Sequence, residues 1–183
     1  MHNREAFLYL TTMNTLRLGN INLHAPYKVM QDPERNNNFY FVSDNGTRFD
    51  IDFTINEAII PSGAYEFGIT NKQFKRSPHD TKLRLTIFAI IEEFFDVNGE
   101  DTMLYLAETG DRKQAFRNRL FVRWFNIYER REFFFMKTAE GKMDGVMNFL
   151  AIISRKDNPN LPQAIAEFDE TISFLFDPPE EST

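Results

Sequence analysis

Residues 39–55, FYFVSDNGTRFDIDFTI, leave this chain little freedom where they stand. Two runs of alternating apolar and polar residues flank Asp44-Asn45-Gly46, residue types that tolerate the positive φ of a tight hairpin. In the second run Phe49, Ile51, Phe53 and Ile55 fall on one side of a strand; Arg48, Asp50, Asp52 and Thr54 fall on the other. Such a strand needs a core on one face and water on the other, the pattern of a half-buried antiparallel sheet. APYKVMQD (25–32) reads as a strand before the hairpin, and AYEFGITNK (64–72) as a fourth strand beyond the turn at PSG.

The period then changes. In SPHDTKLRLTIFAIIEEFFD, Ser77 is the expected N-cap, with Pro78 at the first helical position and Asp80 three residues after the cap. Leu83, Ile87, Ile90, Ile91, Phe94 and Phe95 recur at three and four and form one apolar face. A strand at 102–108, a helix at 111–130 and a strand at 132–139 follow. A turn at EGKMDG leads to a strand at 146–155 and an amphipathic helix at 162–176. The order β-β-β-β-α-β-α-β-β-α predicts a single α+β (mixed α/β) domain, a mostly antiparallel twisted sheet with helices packed on it. The β-α-β stretch around 102–108 can add a locally parallel pair. Residues 1–24 are weakly patterned and read as an N-terminal arm, 25–176 as the domain, and 177–183 as an acidic tail.

Composition narrows the class. With 183 residues the chain can bury a core without staples, and its 20 Phe, which carry no polar handle, belong mostly inside it. The absence of cysteine excludes disulfides, thiol nucleophiles and thiolate metal sites, and fits a cytoplasmic protein. The opening MHNREAFLYLTTMNTLRLG lacks the apolar core and cleavage site of a signal peptide, and no apolar run reaches the ~20 residues that span a bilayer. A net charge of −6 argues against broad nucleic-acid or membrane-surface binding, while leaving room for a local basic patch.

That patch is sought in RNRLFVRWFNIYERREFFFM (117–136). On a helical wheel at about 100° per residue, Phe116, Leu120, Phe121, Trp124, Phe125, Ile127 and Tyr128 sweep one arc, with Arg112, Arg119, Arg123 and Arg130 aligned beside it. The ridge is either a solvated face or a partner-binding surface with Trp124 or Tyr128 as a neighbouring anchor. Arg117 falls inside the apolar arc, between Trp124 and Tyr128, and Arg84 does the same on the preceding helix. A guanidinium there must meet an acid, stack on a ring or snorkel to water, unless it holds an anion. Acids gather from Asp157 onward without a base among them, so the last helix either docks beside the ridge or leaves it to a partner.

Enzyme signatures are missing: there is no GxSxG, no P-loop and no GxGxxG. His2, His24 and His79 lack metal-ligand spacing, so no metal site is expected. Asp50 and Asp52 form a paired-carboxylate pattern that a half-exposed strand produces anyway. Lys72, Lys75 and Arg76 precede a helix start, where a phosphate can bind, but no glycine lets it approach the backbone.

RNRLFVRWFN, followed by an aromatic strand and AIISRKDNP, resembles a family of uncharacterised small bacterial proteins, a domain of unknown function that implies no activity. The order of elements is also similar to the GCN5-related N-acetyltransferases. That resemblance implies acetyl-CoA at the loop NKQFKRSPHD, with Lys72, Lys75, Arg76 and Arg117 as cofactor-binding candidates and Tyr128 as a loosely placed general acid; the family's glycine-bearing loop is lacking. The first expectation is a non-enzymatic protein-interaction or regulatory domain with no cofactor, working with a protein partner or as a homodimer. The alternative is an acyl-CoA-dependent N-acyltransferase-like protein.

Overall fold

The computed structural model describes residues 13–71, 80–107, 109 and 112–176. Along the chain come α1 (Leu18–His24), β1 (Met30–Gln31), β2 (Asn38–Val42), β3 (Arg48–Asn56), β4 (Ala64–Asn71) and α2 (Thr81–Val97). Then follow β5 (Met103–Leu106), α3 (Gln114–Asn126), a 3-10 turn (Arg131–Phe133), β6 (Phe134–Met143), β7 (Val146–Arg155) and α4 (Leu161–Leu175). The seven strands pair in the order β1-β2-β3-β4-β5-β7-β6. The ladders β1–β2, β2–β3, β5–β7 and β6–β7 are antiparallel, whereas β4–β5 is parallel as expected and pairs Tyr65 with Met103 and Glu66 with Leu104. The α+β class read from the periodicities is the class observed. Two compact units divide the backbone: residues up to Ile55 with Phe67–Gly99, and Asn56–Glu66 with Glu100 onward.

In the first unit the hairpin does what its alternation dictates. Phe41 pairs with Phe49 and Phe39 with Ile51, and Gly46 takes the positive φ, 76°, that closes the loop. Phe49, Ile51 and Phe53 are buried, whereas Ile55, at the strand end, is exposed. Phe53 stacks on Phe94 of α2 at 4.9 Å between centroids and tilts against Phe67 at 5.3 Å, joining the sheet to the helix through rings. Asp80 caps α2, accepting the Leu83 N–H at 3.1 Å. The expected cap, Ser77, lies outside the described residues, and with the helix opening at Thr81 the carboxylate of Asp80 takes that role.

The expected strand at 25–32 shrinks to Met30–Gln31. The Tyr27 N–H donates to Thr86 Oγ1, and Asn22 exchanges two hydrogen bonds with the backbone of Val29, so side chains satisfy groups a strand neighbour would have taken. The expected arm also contains structure: Met13, Leu16 and Ile21 are buried and 18–24 is helical.

The second unit has two faces. Leu104, Leu150 and Ile152 point to one, where Phe168 and Ala164 of α4 and Ile59 and Ile60 of the β3–β4 loop complete a core. Their neighbours in the ladder, Tyr105, Ala151 and Ile153, point to the other, where Tyr105 stacks on Phe121 of α3 at 4.1 Å. The helices α3 and α4 therefore lie on opposite faces of β5 and β7. The strand β6 runs past its expected end at Ala139 because Asp144 and Gly145, with φ of 52° and 75°, make a two-residue turn that continues the pairing to Met143↔Val146.

Candidate interaction site

The helix expected over 111–130 spans only Gln114–Asn126. Arg112 is in the left-handed region, φ 60°, and donates its N–H to Thr109, which keeps it out of the helix. Beyond Asn126, i→i+3 bonds from Tyr128 to Phe125 and from Arg131 to Tyr128 tighten the chain into turns. Arg112, Tyr128 and Arg130 thus leave the wheel. The apolar arc is narrower as well: Phe121 and Phe125 are buried, while Phe116 and Ile127 are exposed.

What remains of the ridge is Arg119 and Arg123, one turn apart, both exposed. They form one wall of a groove of about 770 Å³ together with Asn118, Val122 and Asn126, with Thr138, Ala139 and Glu140 of β6 opposite. A second hollow shares Val122, Asn126 and Thr138 and continues past Phe134, Phe135 and Met136 to Arg131 and Lys156. Together they make a trough along β6, with basic groups on the helix side.

The acids of α4 do not neutralise it. Asp169 pairs with Lys137 at 2.6 Å, and Glu167 accepts the Ser62 N–H at 2.9 Å and the Ser62 hydroxyl at 2.8 Å. Lys137 pairs in register with Ile152, on the α4 face of the sheet. Docking of the acidic helix beside the ridge is therefore not what the described residues do. Neither Arg119 nor Arg123 forms a salt bridge among them.

The other candidates scatter. Trp124 is half-buried and does not line the groove. Arg130 places its guanidinium over the Phe133 ring at 5.4 Å, and the Tyr128 ring lies against Phe134 at 6.2 Å. Arg117 is half-buried, near enough to Tyr105 for its charge to favour the phenolate; burial is stronger and pushes the Tyr105 hydroxyl up to about 12. Arg84 is half-buried too. Lys72, Lys75 and Arg76 lie outside the described residues. Among the described residues no cluster of His, Cys, Asp and Glu is placed to hold a metal ion, and no helix is long and apolar enough to cross a membrane.

Sequence reasoning overlooked the groove's floor, whose signal was the Asp-Gly pair that lengthens β6, and the spacing of Asn118 and Asn126 at two turns. It also overlooked Glu93. This carboxylate, 1% exposed on α2, accepts from Arg17 Nε at 2.7 Å, Arg17 Nη2 at 3.2 Å, the Arg17 backbone N–H at 2.9 Å and Asn20 Nδ2. Burial alone would raise its carboxyl, but the combined donors hold it below the usual carboxylate range. It ties α1 to α2 and is architectural.

No curated protein and no solved structure matches the chain. Residues 79–170, running from the start of α2 into α4, match the model of a family of unknown function, DUF6169. That match covers half of the chain and includes α3, β6 and the trough between them, and the chain belongs to this family.

Proposed function

We propose that this protein is a non-enzymatic interaction domain whose α3–β6 trough holds an acidic segment of a partner protein. One observation carries the reading: Arg119 and Arg123 stand exposed on a groove wall without a salt bridge among the described residues, while Glu167 and Asp169 of α4 are engaged on the opposite face. A basic wall beside a partly apolar floor favours a polypeptide, which supplies both charge and side chains to cover Val122 and Met136. Fluorescent poly-glutamate tests it. Binding should weaken as salt is raised and be lost in the charge-reversed variant Arg119→Glu/Arg123→Glu, which leaves the fold intact because both side chains are exposed. Equal binding by the variant would refute the reading.

A second reading has its own support. The parallel β4–β5 pair, joined through α2 and followed by α3 and the β6–β7 hairpin, follows the element order of the acyltransferase resemblance. It calls for acetyl-CoA, and a thermal-shift titration decides, since a ligand of the folded state raises the melting temperature. No shift at saturating acetyl-CoA counts against it.

A further inference from the structure

Among the described residues β6 ends the sheet, and its ten residues pair with β7 along one side only. From Phe135 to Gly141 no outward backbone group hydrogen-bonds to the backbone of another described segment, and on the α4 face the Phe176 ring packs against Gly141. The opposite edge is different: β1 is two residues long and offers almost nothing to pair with. A long, unpaired edge is a template for another strand.

The trough runs alongside that edge. At the start of α3 the Gln114 amide donates to the Met147 carbonyl, opposite Lys142 of β6, and at its end Phe125 and Asn126 line the trough with Phe134 and Met136, so α3 follows β6 in the opposite direction. Arg119 and Arg123 are about 6 Å apart along the helix axis. Alternate residues of an extended chain are about 6.8 Å apart and face the same way. A strand laid against β6 would therefore turn every second side chain toward α3, at nearly the spacing of the two arginines. Acidic residues at i and i+2 would meet them in step.

Resting on the interaction reading above, we propose that the partner's acidic segment binds as an added strand along the open edge of β6, its alternate carboxylates facing Arg119 and Arg123. Main-chain hydrogen bonds hold the strand and the arginines select for acids at every second position. The edge bears its own exposed charges, Glu140 and Lys142, which discourage indiscriminate pairing while leaving the central backbone open.

An alternating Glu-Val octapeptide, and the same peptide N-methylated at every residue so that its N–H donors are gone, separate the two claims. Hydrogen exchange of the full chain with the unmodified peptide should slow at amides within 135–141, and the methylated peptide should lose most of the binding while keeping its charge. Charge reversal at Arg119 and Arg123 should abolish both effects. Arginine-dependent binding with unchanged β6 exchange and equal affinity for the methylated peptide would overturn strand addition but leave the groove reading standing. Binding that ignores the arginines would overturn both. Sedimentation showing a dimer that the peptide does not dissociate, with β6 already protected, would assign the edge to a second copy of this chain and overturn the proposal.

Discussion

Replacing Glu93 with Gln tests the tightest electrostatic arrangement in the molecule. The carboxylate is buried and receives four donors from Arg17 and Asn20. An amide keeps the shape and one acceptor oxygen, but turns an NH2 toward two of those donors and removes the charge. Hydrogen bonds to charged groups contribute about 1.5–3 kcal/mol each. Half the set is lost, yet the Arg17 side chain is 60% exposed and recovers water, so the net cost is about 2 kcal/mol. For a chain of this size that lowers Tm by roughly 4–8 °C. Urea unfolding should show a lower midpoint with an unchanged slope. The pH dependence has a definite sign. A carboxyl whose folded value is depressed stabilises the fold above its unfolded value, and that contribution disappears as pH falls through the folded one. The gap between wild type and Glu93→Gln should therefore be full near neutrality and close in acid. Equal midpoints near neutral pH, or a gap that widens in acid, would refute the reasoning.

Two further outcomes follow from the same structure. Asp101 is pushed up by burial and then by its neighbour Glu100, so ionising it costs the folded state; Asp101→Asn should raise stability near neutral pH and lose that advantage in acid, as measured by the urea midpoint across pH. Gly145→Ala forces a side chain onto φ 75° in the β6–β7 turn and should cost about 1 kcal/mol, with faster hydrogen exchange at the hairpin end; an unchanged melting temperature would contradict the turn assignment.

What could be read in advance depended on how local the cause was. Strand β3 was legible because Phe49, Ile51 and Phe53 answer to a period of two regardless of what covers them. So was the body of α2, whose apolar face needs only a sheet to pack on. The ends of α3 were not: Thr-Gly-Asp at 109–111 signals a turn without showing that Arg112 takes the left-handed region, and after Asn126 neither glycine nor proline marks the tightening. The length of β6 turned on which two residues of EGKMDG took positive φ, and α1 depended on Asn20 and Arg17 finding a carboxylate more than seventy residues away. At the site, Arg119 and Arg123 were legible as a ridge. Their setting was not, because the acids of α4 were equally able in principle to cover them, and only the sheet's alternation sends the two helices to opposite faces.

Chemical-shift mapping of poly-glutamate on the labelled full chain at low salt tests the central claim most directly. The account predicts the largest changes at Arg119, Val122, Arg123 and Asn126 on α3 and at Thr138–Glu140 on β6, diminishing as salt is raised. Changes confined to residues before Ile55, or a pattern indifferent to salt, would contradict it.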